Sequence, residues 1–227
     1  LYTVTVVDAV SSCAVTKTFT ITQPTSNTLS IIASTLTACV GSNITFTANN
    51  TGGTPGYSYT WTAGPQNAVN MVTQLLGGNY TYTVTSSDTN NCQASQTIQV
   101  NFVPIPSPSI TANYTALCTG QNLALNGTGG NAYSWTGPNG SSGVTQNLTI
   151  NNIALAGSGV YTLVVTVGPC TASSTQSITV HPLPTPTFTA PIICENHNLQ
   201  LNASPGGGVS FVWTGPLNFS SPQQNPV

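Results

Sequence analysis

CVGSNITFTA, at residues 39–48, opens with a cysteine and then alternates apolar with polar side chains. The same arrangement returns as CTGQNLALNG at residues 118–127 and as CENHNLQLNA at residues 194–203. The interval is about 78 residues, and a fixed interval of this kind is typical of a repeat architecture. We therefore interpret the chain as a series of tandem repeats.

Three further signatures recur with the opening cysteine, in the order tryptophan, Tyr-Thr run and second cysteine. The tryptophans are Trp61, Trp135 and Trp213. The Tyr-Thr runs contain Tyr2, Tyr82 and Tyr161, and the second cysteines are Cys13, Cys92 and Cys170. Their fixed order supports the same structural unit in every repeat.

Alternation in these runs predicts short antiparallel strands with one buried face. Ile44 shares a face with Phe46, and Leu123 shares one with Leu125. Two such sheets packed face to face predict an all-β fold of seven-stranded immunoglobulin-like sandwiches, following one another in a linear array. The core positions predicted on this basis are Trp61, Trp135, Trp213, Tyr82 and Tyr161.

Proline-rich segments at residues 22–28, 103–109 and 181–187 separate the repeats, because alternating prolines favour an extended, semi-rigid backbone. We expect residues 1–23 to be the C-terminal strands F and G of a preceding repeat. Residues 24–103 and 104–182 are expected to be whole repeats, and residues 183–227 the N-terminal part (strands A to E) of a following repeat.

The strand positions are clearest in the second whole repeat. The predicted strands are A at 109–113, B at 122–127, C at 132–136, a short D near Val144, E at 147–152, F at 160–167 and G at 171–180. Asn139-Gly140 is a typical hairpin turn pair after strand C.

Charge is almost absent, since charged residues make up 2% of the chain. Nucleic-acid binding requires clustered Lys or Arg, and Lys17 is the single basic residue among those two types. Electrostatic attraction to anionic membranes is excluded for the same reason, and no apolar run reaches the ~18 residues of a membrane span.

The cysteines recur at two fixed places per repeat without CxxC pairs, which favours disulfides in an oxidising, extracellular setting. The first cysteine precedes strand B and the second lies at the F–G turn, at opposite ends of a seven-stranded sandwich. We therefore prefer a Cys39–Cys170 bond between repeats, and expect the other four cysteines to bond to repeats outside this segment. The alternative is Cys39–Cys92 with Cys118–Cys170, each within one repeat.

Catalytic, metal and cofactor sites are not predicted. Asp8 and Asp88 occupy matching F–G turns, where aspartate caps its own turn. His181 and His197 are expected to be surface residues, because a zinc site needs three or four ligands. The glycines at residues 52–53 and 206–208 lack the lysine and helix of a phosphate loop.

A family resemblance rests on GGTPGYSYTW at residues 52–61 and YTVTVVDAVSSCAVTKTFTITQP at residues 2–24. Both resemble the repeats of the large gliding-motility adhesins of Bacteroidota, most strongly over residues 1–103, while residues 104–227 are similar to related immunoglobulin/PKD-like repeats. The second whole repeat departs from this pattern, having Val167-Gly168-Pro169 where the F–G aspartate is expected. The resemblance implies export by the type IX system and display at the cell surface.

The function predicted from these observations is a non-enzymatic, structural segment of a long extracellular filament or adhesin stalk. The alternative is an adhesin module that binds polysaccharide or another cell. Expected partners are neighbouring repeats of the same chain, with like chains in a filament and surface polysaccharide as further candidates. Nucleic acid, membrane insertion and cofactors are not expected.

Overall fold

The computed structural model describes residues 1–189, 191–195, 197–204 and 209–227. Over these residues the regular structure is β-strand, with three short 3-10 segments. None of the helical segments described is long and apolar enough to cross a membrane. Clustering of contacts divides the chain into two compact units, one formed by residues 1–108, 129–132 and 165–172, the other by residues 109–128, 133–164 and 173–227.

Residues 1–23 form an antiparallel hairpin of β1 (Tyr2–Val7) and β2 (Ala14–Phe19). Tyr2 lies opposite Phe19, and their rings stack with centroids 5.4 Å apart. Every residue of both strands is exposed. The hairpin corresponds to the predicted strands F and G.

The first whole repeat is a two-layered β-sandwich of seven strands. They are β3 (Thr28–Ala33), β4 (Thr37–Cys39), β5 (Asn43–Thr51), β6 (Ser58–Trp61), β7 (Val69–Thr73), β8 (Gly78–Ser87) and β9 (Gln93–Val103). One sheet has the order β3-β5-β7 and the other β4-β9-β8-β6. Phe46 packs between the layers, with its ring centroid 5.7 Å from that of Trp61 and 5.1 Å from that of Tyr82.

The second whole repeat has the same plan with one additional strand. Its strands are β10 (Ser109–Ala112), β11 (Ala116–Cys118), β12 (Leu123–Thr128), β13 (Ala132–Thr136), β14 (Ser142–Gly143), β15 (Asn147–Ile150), β16 (Gly159–Val167) and β17 (Cys170–His181). The sheets are β10-β12-β15 and β11-β17-β16-β13-β14. Strands B, C, E, F and G are β12, β13, β15, β16 and β17 in this repeat, and β5, β6, β7, β8 and β9 in the first. The prediction of tandem immunoglobulin-like sandwiches is confirmed.

Strand A is divided in both repeats, and the strand A predicted at 109–113 is only its first half in the second repeat. In the second repeat its first half, β10, pairs antiparallel with strand B, and its second half, β11, pairs parallel with strand G. The chain therefore changes sheets before it reaches strand B. Alternation predicts extended chain but does not reveal such a change of partner, so the second half was missed.

The predicted strand D is wrong. Residues Ser142–Gly143 pair with strand C, where Trp135 lies opposite Gly143, so β14 is a C′ strand. The cause is the turn that precedes it. Asn139 and Gly140 both have positive φ, and Ser141 N donates to Pro138 O at 3.0 Å. This type I′ geometry folds the chain directly back onto strand C.

Residues 183–227 contain β18 (Thr187–Thr189), β19 (Asn202–Ser204), β20 (Trp213–Thr214) and β21 (Ser220–Ser221), which correspond to strands A, B, C and C′. The predicted strand E is not formed among the described residues of this segment. Near its place, Leu201 N donates to Pro226 O at 3.0 Å. Pro222 and Pro226 interrupt a regular ladder, because proline has no N–H to donate.

Candidate functional site

The structure joins Cys39 to Cys170 in a disulfide, with Cα atoms 5.6 Å apart and a sequence separation of 131 residues. Cys39 belongs to the first whole repeat and Cys170 to the second. Both lie in the same compact unit, because that unit includes residues 165–172. The bond thus connects two successive repeats covalently, and we call it the inter-repeat disulfide.

Backbone pairing positions Cys39. It ends β4, opposite Val103 at the end of strand G, and Val40 N donates to Val103 O at 2.9 Å. Gly41 follows with φ of +80°, a conformation that favours glycine, and its N–H donates to Gln74 O at 2.7 Å. The corner between Cys39 and strand B is therefore hydrogen-bonded both to strand G and to the loop that precedes strand F.

A tight turn positions Cys170. Gly168 has φ of +57°, Pro169 follows it, and Cys170 begins β17. Cys170 is 1% exposed, and its Sγ lies 3.6 Å from the carbonyl oxygen of Val103. Both cysteines thus converge on Val103, and the Cys170 half of the bond is shielded from solvent.

The within-repeat pairs Cys39–Cys92 and Cys118–Cys170 are not formed. Cys118 pairs with His181 at the far end of β17, a strand of 12 residues that Cys170 begins. At about 3.3 Å per residue the two cysteines are separated by roughly 35 Å, whereas a disulfide requires Cα atoms within about 7 Å. Cys39 and Cys92 likewise lie at opposite ends of β9. The free cysteines are Cys13, Cys92, Cys118 and Cys194.

The Asp88 carboxylate fixes the F–G turn of the first whole repeat. Oδ1 accepts from the N–H groups of Asn90 at 2.9 Å and Cys92 at 2.8 Å. Oδ2 accepts from Thr54 N at 2.9 Å, so the same side chain also holds the B–C turn. The hydrogen bond from Thr54, followed by those from Cys92 and Asn90, lowers the pKa of Asp88.

Asp8 has the corresponding role in the N-terminal hairpin. Its Oδ1 accepts from the N–H groups of Ser11 at 2.7 Å and Val10 at 2.9 Å, and these bonds lower its pKa, that from Ser11 most. Both aspartates therefore cap their own turns, as predicted. The further contact of Asp88 with Thr54 was missed, because nothing local in the sequence signals it.

Asn27, at the end of the first proline-rich segment, was also missed. Its Nδ2 donates to Cys92 O at 3.1 Å, and its Oδ1 accepts from Asn50 Nδ2 at 2.7 Å. Asn50 Nδ2 also lies 2.7 Å from Ser86 Oγ. These contacts attach the linker to the F–G turn and to strand B of the repeat that it precedes.

The tryptophans of the whole repeats lie inside the sandwiches. Trp61 is 4% exposed and Trp135 is 1% exposed, and their Nε1 groups donate to Asn67 O at 2.8 Å and Thr145 O at 3.0 Å. Trp213, in the partial repeat, is half-buried. A stacking platform for sugar rings requires an exposed aromatic face, which Trp61 and Trp135 do not offer.

The core tyrosines are buried as well. Tyr82 Oη accepts from Gln74 Nε2 at 2.7 Å, and Tyr161 Oη donates to Gly157 O at 3.0 Å. Burial raises the pKa of Tyr161. Both hydroxyls are therefore bonded to the loop or turn that precedes strand F of their own repeat.

No chemical centre emerges from the remaining polar residues. Among the described residues, no three His, Cys, Asp or Glu side chains are grouped as metal ligands. His181 and His197 are exposed. Gly52 and Gly53 have positive φ at the B–C turn, while Gly206, Gly207 and Gly208 lie outside the described residues.

No protein-family model matches the chain, and no curated protein matches it. Solved structures with a similar course of the chain include a variant of titin domains I67–I69, at 13% identity and a TM-score of 0.46, covering 86% of each chain. Three N-terminal domains of the bacteriophage RB49 outer capsid protein Hoc match at 18% identity and a TM-score of 0.34, covering 89% of this chain and 80% of theirs. A mouse coronavirus receptor-binding domain complexed with its murine receptor matches at 15% identity and a TM-score of 0.44, covering 67% and 100%.

Proposed function

We propose that this chain is a structural segment of a long extracellular filament or adhesin stalk, in which disulfides connect successive immunoglobulin-like repeats. The observation that supports it best is the inter-repeat disulfide between Cys39 and Cys170. A bond within one sandwich would stabilise that sandwich alone. A bond between two repeats also encloses the linker, so it withholds residues 40–169 of both repeats from extension and transmits tension from one repeat to the next.

The proposed location is the outside of a cell, since structural disulfides persist in oxidising compartments. The resemblance of residues 1–103 to the repeats of Bacteroidota gliding-motility adhesins favours type IX export and attachment at the cell surface. A chain with 2% charged residues also offers few cleavage sites to proteases that require Lys or Arg. Each of these features suits an exposed surface polymer.

The proposed role is not enzymatic, and polysaccharide binding has less support. The whole repeats bury Trp61 and Trp135, the aromatic residues best suited to stacking on sugar rings. The described residues that could carry catalysis or hold a metal are dispersed turn caps and exposed side chains. We therefore propose that the chain acts as a spacer that bears tension rather than as a module that binds a ligand.

Peptide mapping without reduction tests the proposal. The native chain is alkylated to block free thiols and is then cleaved at aromatic residues, which places each of Cys39, Cys92, Cys118 and Cys170 in a separate peptide. We expect one cross-linked pair, containing Cys39 and Cys170. Recovery of Cys39 with Cys92, or of Cys170 with Cys118, contradicts the proposal.

A Cys170→Ser chain is the control. It should yield no cross-linked pair that contains the Cys39 peptide, and its Cys39 should be alkylated. Saturable binding of the native chain in a glycan panel would instead favour the adhesin alternative.

A further inference from the structure

Cys118 lies in the same backbone environment as the bonded Cys39. Each ends the second half of strand A, and each is opposite the residue that ends strand G, which is His181 for Cys118 and Val103 for Cys39. The next residue donates to that carbonyl in both cases: Thr119 N to His181 O and Val40 N to Val103 O, both at 2.9 Å.

The corner that follows is also the same in the two repeats. Gly120 has φ of +89°, and its N–H donates to Ile153 O at 2.9 Å. Gly41, with φ of +80°, donates to Gln74 O at 2.7 Å. In the first repeat this environment presents its cysteine to the F–G turn of the following repeat. The second repeat presents Cys118 in the same way, and its thiol is free.

Cys92 is the counterpart of Cys170 at the other end of the repeat. Cys170 is the first residue of its strand G, and Cys92 directly precedes the first residue of β9. Cys92 is exposed and free. In each whole repeat, therefore, one of the two cysteines takes part in the inter-repeat disulfide and the other is a free thiol.

We propose that Cys118 is the site of a second inter-repeat disulfide, with the F–G cysteine of the following repeat, and that Cys92 bonds the A–B cysteine of the preceding repeat. This inference rests on the proposed function. Each bond forms when two thiols give up two protons and two electrons to a disulfide oxidant, which is itself reduced to two thiols. Every repeat is then bonded to both neighbours.

This pattern gives the polymer two separate covalent paths for tension. A pull transmitted through Cys39 crosses to Cys170 and bypasses residues 40–169. That path continues along the chain to Cys194 and crosses to another repeat. The second path follows residues 92–118 and then leaves through Cys118. Along either path, tension runs through strand G, a linker and strand A, and then crosses a disulfide.

The extension that this pattern permits is small. Residues 92–118 span about 90 Å when fully extended, at roughly 3.4 Å per residue. On either path, one such segment with its disulfide advances the polymer by two repeats. Two repeats contain about 157 residues, and in the absence of disulfides they would extend to roughly 530 Å on the same basis. The bonded polymer therefore reaches its limit at about one sixth of the length of the unbonded one.

The test uses the full chain with residues 24–182 present twice in succession, refolded with oxidised glutathione as the oxidant. Peptide mapping without reduction should recover Cys39–Cys170 and, in addition, a peptide in which Cys118 is bonded to Cys92, which the unduplicated chain should not yield. Complete alkylation of Cys118 and Cys92 in both copies, alongside intact Cys39–Cys170 bonds, would overturn this inference but leave the proposed function standing. Loss of Cys39–Cys170 from the unduplicated chain would overturn the proposed function itself.

Pulling single molecules by their ends supplies a second readout. In a duplicated chain with Cys39→Ser and Cys170→Ser in both copies, only the new disulfide could prevent part of the unfolded chain from extending under load. It encloses about 130 residues, so adding a reductant under load should release about 47 nm, at roughly 3.6 Å per residue. The same chain with Cys118→Ser should release none. Equal traces for the two variants would overturn the inference.

Discussion

The carboxylate of Asp88 and the backbone N–H of Thr54 lie 2.9 Å apart, so that one side chain joins the F–G and B–C turns of the first whole repeat. Asp88 is 4% exposed, and its two oxygens accept three backbone hydrogen bonds. A neutral amide cannot replace all three, because its nitrogen donates rather than accepts. The ionised carboxylate is therefore the form that stabilises these turns.

We expect Asp88→Asn to lower the melting temperature of the first whole repeat at pH 7. Since the folded-state pKa of Asp88 lies below its ordinary value, the contribution is present above the ordinary aspartate pKa of about 3.9 and is lost as the pH falls through the folded value. Calorimetry at pH 7 and at about pH 2 should show the difference between the two chains shrinking in acid.

Asp8→Asn is the matched control, because Asp8 caps an equivalent turn in a hairpin whose strands are entirely exposed. It should leave the melting of the first whole repeat unchanged. An equal decrease in the melting temperature of the first whole repeat in both variants would mean that general charge effects, rather than the contact with Thr54, explain the result.

Truncation of Leu163 tests the core of the second whole repeat. Leu163 is fully buried on strand F, and Leu163→Ala should reduce the free energy of unfolding by about 2–5 kcal/mol through lost burial and a cavity. Its neighbour Val164 points outward, so Val164→Ala should cost no more than about 0.5 kcal/mol. Urea titration followed by tryptophan fluorescence compares the two variants. Similar midpoints would contradict the burial of Leu163 and the exposure of Val164 on strand F.

The Asn139-Gly140 turn can be tested without disturbing any packing. Gly140 has φ of +72° with open space around its Cα, so Gly140→Ala should cost about 1 kcal/mol through backbone strain alone. Asn139→Gly keeps the required conformation and should change stability by only a few tenths of that amount. Urea titration of both variants checks the ranking, and the reverse order would exclude a type I′ turn here.

Thiol accessibility provides a test of the cysteine assignment. Four cysteines are free, of which Cys13, Cys92 and Cys194 are exposed and Cys118 is half-buried. A colorimetric thiol reagent should therefore titrate three groups rapidly and a fourth more slowly in the native chain. A Cys170→Ala chain should release Cys39 as a fifth thiol. Six thiols in the unfolded, unreduced chain would show that no disulfide had formed.

Periodicity in the sequence was sufficient to predict the sandwiches and the strands that fill them. Strands B, C, F and G were placed within one or two residues in the second whole repeat, because their apolar faces alternate over several residues and end at clear turns. The turn at Asn139-Gly140 was predicted for a local reason as well, since it depends on two adjacent residues.

Features that depend on the pairing of distant segments were not predictable in this way. The change of sheet within strand A depends on the edge of strand G, and the C′ strand depends on where one turn directs the chain. The contacts of Asn27 with Cys92 and of Asp88 with Thr54 join residues distant in sequence, and single-sequence patterns carry no information on them.

The separation of 131 residues between Cys39 and Cys170 also imposes an order of events during synthesis. A chain made from its N-terminus presents Cys39, and after it Cys92 and Cys118, before Cys170 exists. Folding of the first repeat keeps Cys39 apart from Cys92 during this interval, because it places them at opposite ends of β9. The thiol of Cys39 must therefore wait until the second repeat has been made as far as the start of its strand G.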